Sequence, residues 1–295
     1  MLELLAASPG LLIGVCLGLG LLIGSFLNVV VHRLPIMMQR EWAAQCEELA
    51  GREPTPQPRY NLVTPRSACP KCATPIGAAQ NIPVLSWLWL RGRCGACGTP
   101  ISPRYPLVEA LTGLMSAAVA WKYGYGAPLL CGLVVTWVLL ALTFIDLDTQ
   151  LLPDSLTLPL LWGGLAASLL VAPAPGLALP VDLRTAVIGA MVGYLSLWSV
   201  YWLFKLVTGK EGMGYGDFKL LGALGAWMGW QMILPIVLMS AVVGAVVGIV
   251  LITLKGRGRQ VPMAFGPYLA AAGWVMLMFG PEIVSRYLGL FPSGP

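Results

Sequence analysis

The chain has 295 residues, 57% of them hydrophobic and 11% charged, with a mean hydropathy of +0.78. Those values exclude an ordinary soluble domain and point to a polytopic membrane protein. The formal charge of +5 lies entirely in residues 32–104, where nine Lys or Arg against four Glu leave nine minus four, or +5. A basic, Pro-rich loop in an apolar chain marks a cytoplasmic face. It is not the charged stripe of a nucleic-acid binder, and no nucleic-acid partner is expected.

A bilayer core about 30 Å thick takes roughly 20 apolar residues as helix. Reading along the chain, spans are expected near 9–31, 106–122, 127–146, 155–172, 185–206, 216–230, 232–254 and 262–281. The expected fold is therefore all-α, with about eight transmembrane helices and a small cytoplasmic loop domain. Residues 220–254 carry no charge. As one helix they would run about 50 Å at 1.5 Å per residue, so a break is expected near Gly229, Trp230 and Gln231. The first apolar stretch is too long for a signal-peptide core and has no basic residue before it, which reads as a retained anchor. The positive-inside rule puts Arg33 and the loop after it in the cytoplasm, together with Lys205, Lys210 and the run Lys255, Gly256, Arg257, Gly258, Arg259. Lys122, Arg184, Arg286 and the N-terminus then fall outside. The expected division is a first span in 1–31, a cytoplasmic metal-binding domain in 32–104, a seven-helix membrane domain in 105–282 and a short tail in 283–295.

Four of the seven cysteines form two pairs, Cys69 with Cys72 and Cys94 with Cys97. They lie in an internal repeat: Cys-x-x-Cys-Ala-Thr-Pro-Ile at 69–76 returns as Cys-x-x-Cys-Gly-Thr-Pro-Ile at 94–101. Zinc takes four soft ligands in a tetrahedron, and a two-residue spacer lets each pair wrap the ion while backbone N–H groups face the thiolates. A reducing cytoplasm disfavours disulfides. A loop with seven prolines between residues 54 and 83 has little core to fold on without a metal. Structural zinc is expected at Cys69, Cys72, Cys94 and Cys97; the duller reading is two redox or free-thiol pairs. Cys16, Cys46 and Cys131 read as small hydrophobes or free thiols.

Charge at membrane depth is costly, so carboxylates there are candidates for function. Asp146 ends the third span and Asp217 opens the sixth, both at cytoplasmic helix ends. Two carboxylates brought close cannot both ionise. One keeps a proton while the other activates water, which is enough to hydrolyse a peptide bond without metal or covalent intermediate. Gly212, Gly214 and Gly216 remove side chains just before Asp217, allowing a substrate or a neighbouring backbone to approach closely. Taken alone, Gly-x-Gly-Asp also suits a plain helix start capped by Asp. Asp148 reads as a solvated loop residue, Asp154 as a helix-dipole residue at the fourth span, and Asp182 falls outside. Lys219 reads as snorkelling to the interface, with orienting a substrate carbonyl as the alternative.

The chain resembles the bacterial type IV prepilin peptidases over roughly residues 20–270. The match is an ordered series: Gly24-Ser25-Phe26-Leu27-Asn28-Val29-Val30-Val31-His32-Arg33-Leu34-Pro35, the paired cysteines around Asn81 to Trp87, Arg104-Tyr105-Pro106-Leu107-Val108-Glu109, Asp146 to Asp154, Gly212 to Leu220, and Phe265-Gly266-Pro267. The resemblance implies an aspartic endopeptidase with Asp146 and Asp217 as catalytic pair. It further implies removal of a short basic leader from prepilins and type II secretion pseudopilins at the cytoplasmic face of the bacterial inner membrane. N-methylation of the new N-terminus with S-adenosylmethionine is also implied; the residues that bind that donor are not legible in this sequence, beyond the cysteine domain and the 24–35 segment as their general location.

His32, beside Arg33, suits either a proton-transfer or an interface role. Asn28 inside the first span needs a polar partner, and Glu109 is expected to meet a cation. Two rival readings differ in class. One is a proton- or cation-coupled transporter using Asp146 and Asp217 as relay, which predicts repeated halves and polar spans that the sequence lacks. The other is a non-enzymatic assembly platform organised by the cysteine loop.

Overall fold

The computed structural model describes residues 2–255 and 264–289. The expected basic run from Gly256 to Arg259 lies outside the described residues. The chain divides into two compact units, Met1–Trp121 and Lys122–Pro295. Among the described residues every regular element is helical, and extended pairing is limited to two isolated bridges, Ala68 with Pro75 and Arg93 with Pro100.

The first unit contains α1 (Leu2–Ala7), α2 (Pro9–Leu49), α3 (Leu85–Trp89) and most of α4 (Arg104–Tyr123). The helix α2 does not stop near residue 31. It runs unbroken for 41 residues, about 60 Å at 1.5 Å per residue and twice the bilayer core. Past Pro35, which deprives only the Val31 carbonyl of its donor, residues 36–49 are mostly Met, Gln, Arg, Ala, Glu and Leu, all strong helix formers. Its apolar half packs on α4 through small residues. A Cβ at Gly24 would lie 2.7 Å from Glu109 Cα, and one at Gly20 would lie 2.8 Å from the Thr112 carbonyl. These glycines let two backbones approach, as apolar helices do where burial alone drives nothing. Gly18 faces open space, so only Gly20 of that pair packs. The buried hydroxyls of Thr112 and Ser116 donate at 2.7 Å to carbonyls one turn back on α4. Asn28 finds its partner in the Tyr105 carbonyl at 3.1 Å.

The second unit comprises α5 (Ala127–Thr149), α6 (Asp154–Leu170), α7 (Leu183–Thr208), α8 (Tyr215–Met228), a 3₁₀ turn (Trp230–Met232), α9 (Ile233–Lys255) and α10 (Gly266–Gly289). The expected break falls where Gly229 adopts φ 82°, which ends α8 before the 3₁₀ turn and α9. The short α8 is the centre of this unit: apart from Lys219, every residue from Asp217 to Met228 is buried. Helix α7 crosses it through Gly189 and Gly193, which meet the α8 backbone at Gly225 and at Leu221 and Gly222. On α6, Gly164 lies under Trp227, whose indole N–H donates to the Leu160 carbonyl at 2.7 Å.

Among the described residues five stretches are long and apolar enough to cross a bilayer: α2, α5, α7, Trp230–Thr253 and Gly266–Arg286. Together they make this an integral membrane protein. Helices α4, α6 and α8 form where three further spans are expected, yet are not among the five; α6 has 17 residues and α8 only 14.

Candidate active site and four-cysteine centre

Asp146 lies in the last turn of α5 and Asp217 in the first turn of α8, and both are buried, 4% and 6% exposed. Helix α5 ends because Gln150 takes the left-handed conformation, φ 55°, and its N–H closes on the Asp146 carbonyl at 2.9 Å. The chain then turns through Leu151, Leu152 and Pro153 into α6. Helix α8 starts at the N-cap Gly214, whose carbonyl accepts from the Asp217 N–H at 3.2 Å. The backbone N–H of Gly214 faces the Asp217 carboxylate, and that of Gly266, first residue of α10, faces the Asp146 carboxylate.

Glycine is required at two of these places. A Cβ at Gly266 would stand 2.6 Å from Asp146 Oδ2, and one at Gly216 would stand 2.6 Å from Leu152 Cβ. Leu152 therefore sits between the Gly216 and Gly266 backbones. The three glycines before Asp217 divide their work: Gly216 admits Leu152, Gly212 admits the Phe204 ring, and Gly214 stays open toward the carboxylate. The two carboxylates act on each other electrostatically. Each keeps one buried oxygen, Asp146 Oδ2 and Asp217 Oδ1, with no partner in the protein. Among the described residues these are the buried side-chain polar atoms left unbonded, where native structures normally pair nearly all such atoms.

The other carboxylates are engaged elsewhere or exposed. Asp154 pairs through both oxygens, at 2.7 Å each, with Lys219, a partner the sequence reading does not foresee. Asp182 caps α7 by accepting from the Thr185 N–H at 3.1 Å. Asp148 is exposed. The loop before α8 is tethered by Lys205, which donates to Glu211 at 2.7 Å and to the Tyr201 hydroxyl at 3.2 Å. The Tyr201 ring packs edge-on against Phe218, the neighbour of Asp217. The place of Leu152 is not legible from sequence, because it depends on helices distant in the chain.

In the first unit the two cysteine pairs form matching turns. Cys69 N–H donates to the Thr74 carbonyl at 3.0 Å, and Cys94 N–H to the Thr99 carbonyl at 2.8 Å. Ala73 and Gly98 occupy the same left-handed position, φ 55° and 69°. All four Sγ atoms lie within 4.8 Å of one another, with Cys69 to Cys97 at 3.8 Å and Cys72 to Cys94 at 4.0 Å. A tetrahedron of zinc–sulfur bonds about 2.3 Å long has sulfur–sulfur edges of about 3.8 Å, so the donor set fits such an ion. The Thr99 hydroxyl and N–H hold the Cys97 thiol down at about 6, making it a thiolate at neutral pH. Among the described residues the partner found for Glu109 is not a cation: its Oε2 accepts from the N–H of Val84, held at φ 61°. Arg33 is buried at 8% exposure and donates to the Asn61 carbonyl at 3.0 Å, whereas His32 is exposed.

Comparison with known proteins gives two family matches. Residues 19–123 match the bacterial peptidase A24 N-terminal domain, and residues 133–249 match the type IV leader peptidase family. A relative from Aeromonas hydrophila, named prepilin leader peptidase/N-methyltransferase, is 57% identical over 99% of this chain and 99% of its own. Relatives of the same name from Stutzerimonas stutzeri and Pseudomonas aeruginosa are 54% and 52% identical, covering 97% and 98% of this chain and 97% of each relative. No solved structure matches. The transporter alternative finds no support among these relatives. By identity along almost its whole length, the chain belongs to the type IV leader peptidase family.

Proposed function

We propose that this protein removes the short basic leader of type IV prepilins and type II secretion pseudopilins, then N-methylates the new N-terminus with S-adenosylmethionine. The observation that carries the peptidase reading is the meeting of two buried carboxylates from α5 and α8, each with an unbonded oxygen. Its setting is a chain whose relatives bear the name prepilin leader peptidase/N-methyltransferase. The reaction takes place at the cytoplasmic face of the bacterial inner membrane, with residues 32–104 as metal-binding domain and 105–282 as peptidase domain.

Two carboxyl groups brought together at a reaction centre hold one proton between them. The ionised one takes a proton from a water, whose oxygen attacks the scissile carbonyl carbon. The protonated one gives its proton to the carbonyl oxygen, and a gem-diol forms. The carboxyl that took the water's proton passes it to the amide nitrogen while the other, now ionised, takes a proton from a gem-diol hydroxyl; the C–N bond breaks, acid and amine separate, and one proton is again shared by the pair. The N–H groups of Gly214 and Gly266 orient the carboxylates throughout, and the open flank of Gly214 is the approach for an extended peptide.

Cys69, Cys72, Cys94 and Cys97 would hold a zinc ion whose role is to fold the loop, because four thiolates leave no open position for chemistry. S-adenosylmethionine would supply an electrophilic methyl group to the N-terminal amine. The first unit holds a cavity of about 350 Å³ lined by Arg40, Glu41, Glu47, Thr55, Arg59 and Tyr60. It is an open surface hollow, and we propose it as the donor's site only because it carries both signs of charge for a zwitterionic end, with Arg40 and Glu41 as its holders. Incubating the purified protein in micelles with a prepilin tests the reading. Mass spectrometry should show a shortened, methylated product, and an unprocessed prepilin would refute it.

A further inference from the structure

The ion pair between Asp154 and Lys219 joins the first turn of α6 to the start of the second turn of α8. Both oxygens of Asp154 lie 2.7 Å from Lys219 Nζ. The side chains are 56% and 28% exposed, and a pair so open to water adds little to stability. Its position is informative instead. Asp154 comes two residues after Leu152, and Lys219 two residues after Asp217. Leu152 is the side chain wedged between Gly216 and Gly266, and Gly266 in turn faces Asp146. At 100° per residue, Lys219 projects from α8 on the side roughly opposite Asp217, so it is not in reach of the reacting atoms. The same first turn of α6 is fixed from within by the buried Thr157 hydroxyl, which donates to the Pro153 carbonyl at 3.2 Å.

We infer that Asp154 and Lys219 are positioning residues: their ion pair clasps the α5–α6 connection to α8, setting Leu152 and through it the placement of Asp146 against Asp217. This inference rests on the peptidase reading above. The clasp is outside the reacting pair and its charges are accessible, so it is open to ions and to competing side chains. It fixes register without carrying the chemistry. Its loss leaves substrate binding alone and lowers the rate of the step that needs the carboxylates aligned, because errors approaching 1 Å cost rate steeply.

Lys219→Met and Asp154→Asn, compared with wild type and the swapped pair Asp154→Lys with Lys219→Asp, test it on a prepilin in micelles. Each single variant should lose about tenfold or more in kcat with KM changed less than about twofold, and the swap should recover most of that loss. Single variants with wild-type kcat would overturn the inference. So would a dead Lys219→Met that the swap does not rescue, since Lys219 would then act directly. Hydrogen exchange supplies a readout independent of substrate: amides 150–152 and 214–217 should exchange faster in both single variants and return to wild-type rates in the swap. Unchanged exchange refutes the clasp. A wild-type protein that leaves prepilin intact refutes the peptidase reading while the exchange data still judge the clasp.

Discussion

The crossing of α7 and α8 fixes where Asp217 stands, and Gly193→Ala is the sharpest way to disturb it. A Cβ at Gly193 would lie 2.5 Å from the Leu221 carbonyl oxygen, 2.9 Å from its carbon and 3.0 Å from Gly222 Cα. An ordinary C···O contact is about 3.3 Å, so the helices must separate by roughly 0.8 Å, and both obstacles are backbone that no rotamer change can relieve. Overpacking of this kind costs about 3 kcal/mol, and the better helix propensity of Ala returns about 1, leaving about 2 kcal/mol. In a membrane unit of this size that lowers the thermal midpoint by roughly 5 °C. Leu221 is one turn beyond Asp217 on the same face, so the displacement reaches the carboxylate, and cleavage should fall at least about tenfold. Thermal denaturation in micelles and prepilin cleavage measure the two effects, with Gly14→Ala as control, since a Cβ there meets nothing within 4 Å. A Gly193→Ala protein as stable and active as Gly14→Ala would refute the account of this crossing.

At the cysteine centre, wild type should purify with zinc and Cys94→Ser without it, as read by metal analysis; equal zinc content would refute the tetrathiolate site. Gly98→Ala should destabilise the second cysteine turn by about 1 kcal/mol, because φ 69° is strained for a residue with a Cβ, and Ala73→Gly should tighten the first; competition with a chelator gives the order of zinc affinity as Ala73→Gly, wild type, Gly98→Ala. Arg40→Ala or Glu41→Ala should weaken binding of S-adenosylhomocysteine by about tenfold, one charge-assisted hydrogen bond, while leaving leader cleavage intact. Equilibrium binding by calorimetry checks this, and unchanged affinity would move the donor site elsewhere.

The sequence carries the helices well because hydropathy and helix-breaking residues are local properties: Gly229 punctuates α8 and α9 in the order of residues, and the repeat at 69–76 and 94–101 announces two like turns. It misjudges α2, where a charged segment after Pro35 reads as loop although its residues favour helix. It also misassigns single charges. Lys219 and Glu109 look like interface or cation-seeking groups until the fold brings them to Asp154 and to the Val84 N–H, 65 and 25 residues away in the chain. The prominence of Asp146 and Asp217 is legible from their rarity at membrane depth. Their setting is not: Leu152, Gly266 and Tyr201 come from three different segments, and only packing unites them.

The most direct measurement is prepilin cleavage by purified Asp146→Asn and Asp217→Asn, nearly isosteric changes that leave packing in place while removing the shared proton. Both variants should insert, melt close to wild type and yield no shortened product. If either cleaves at the wild-type rate, the two-aspartate mechanism is wrong.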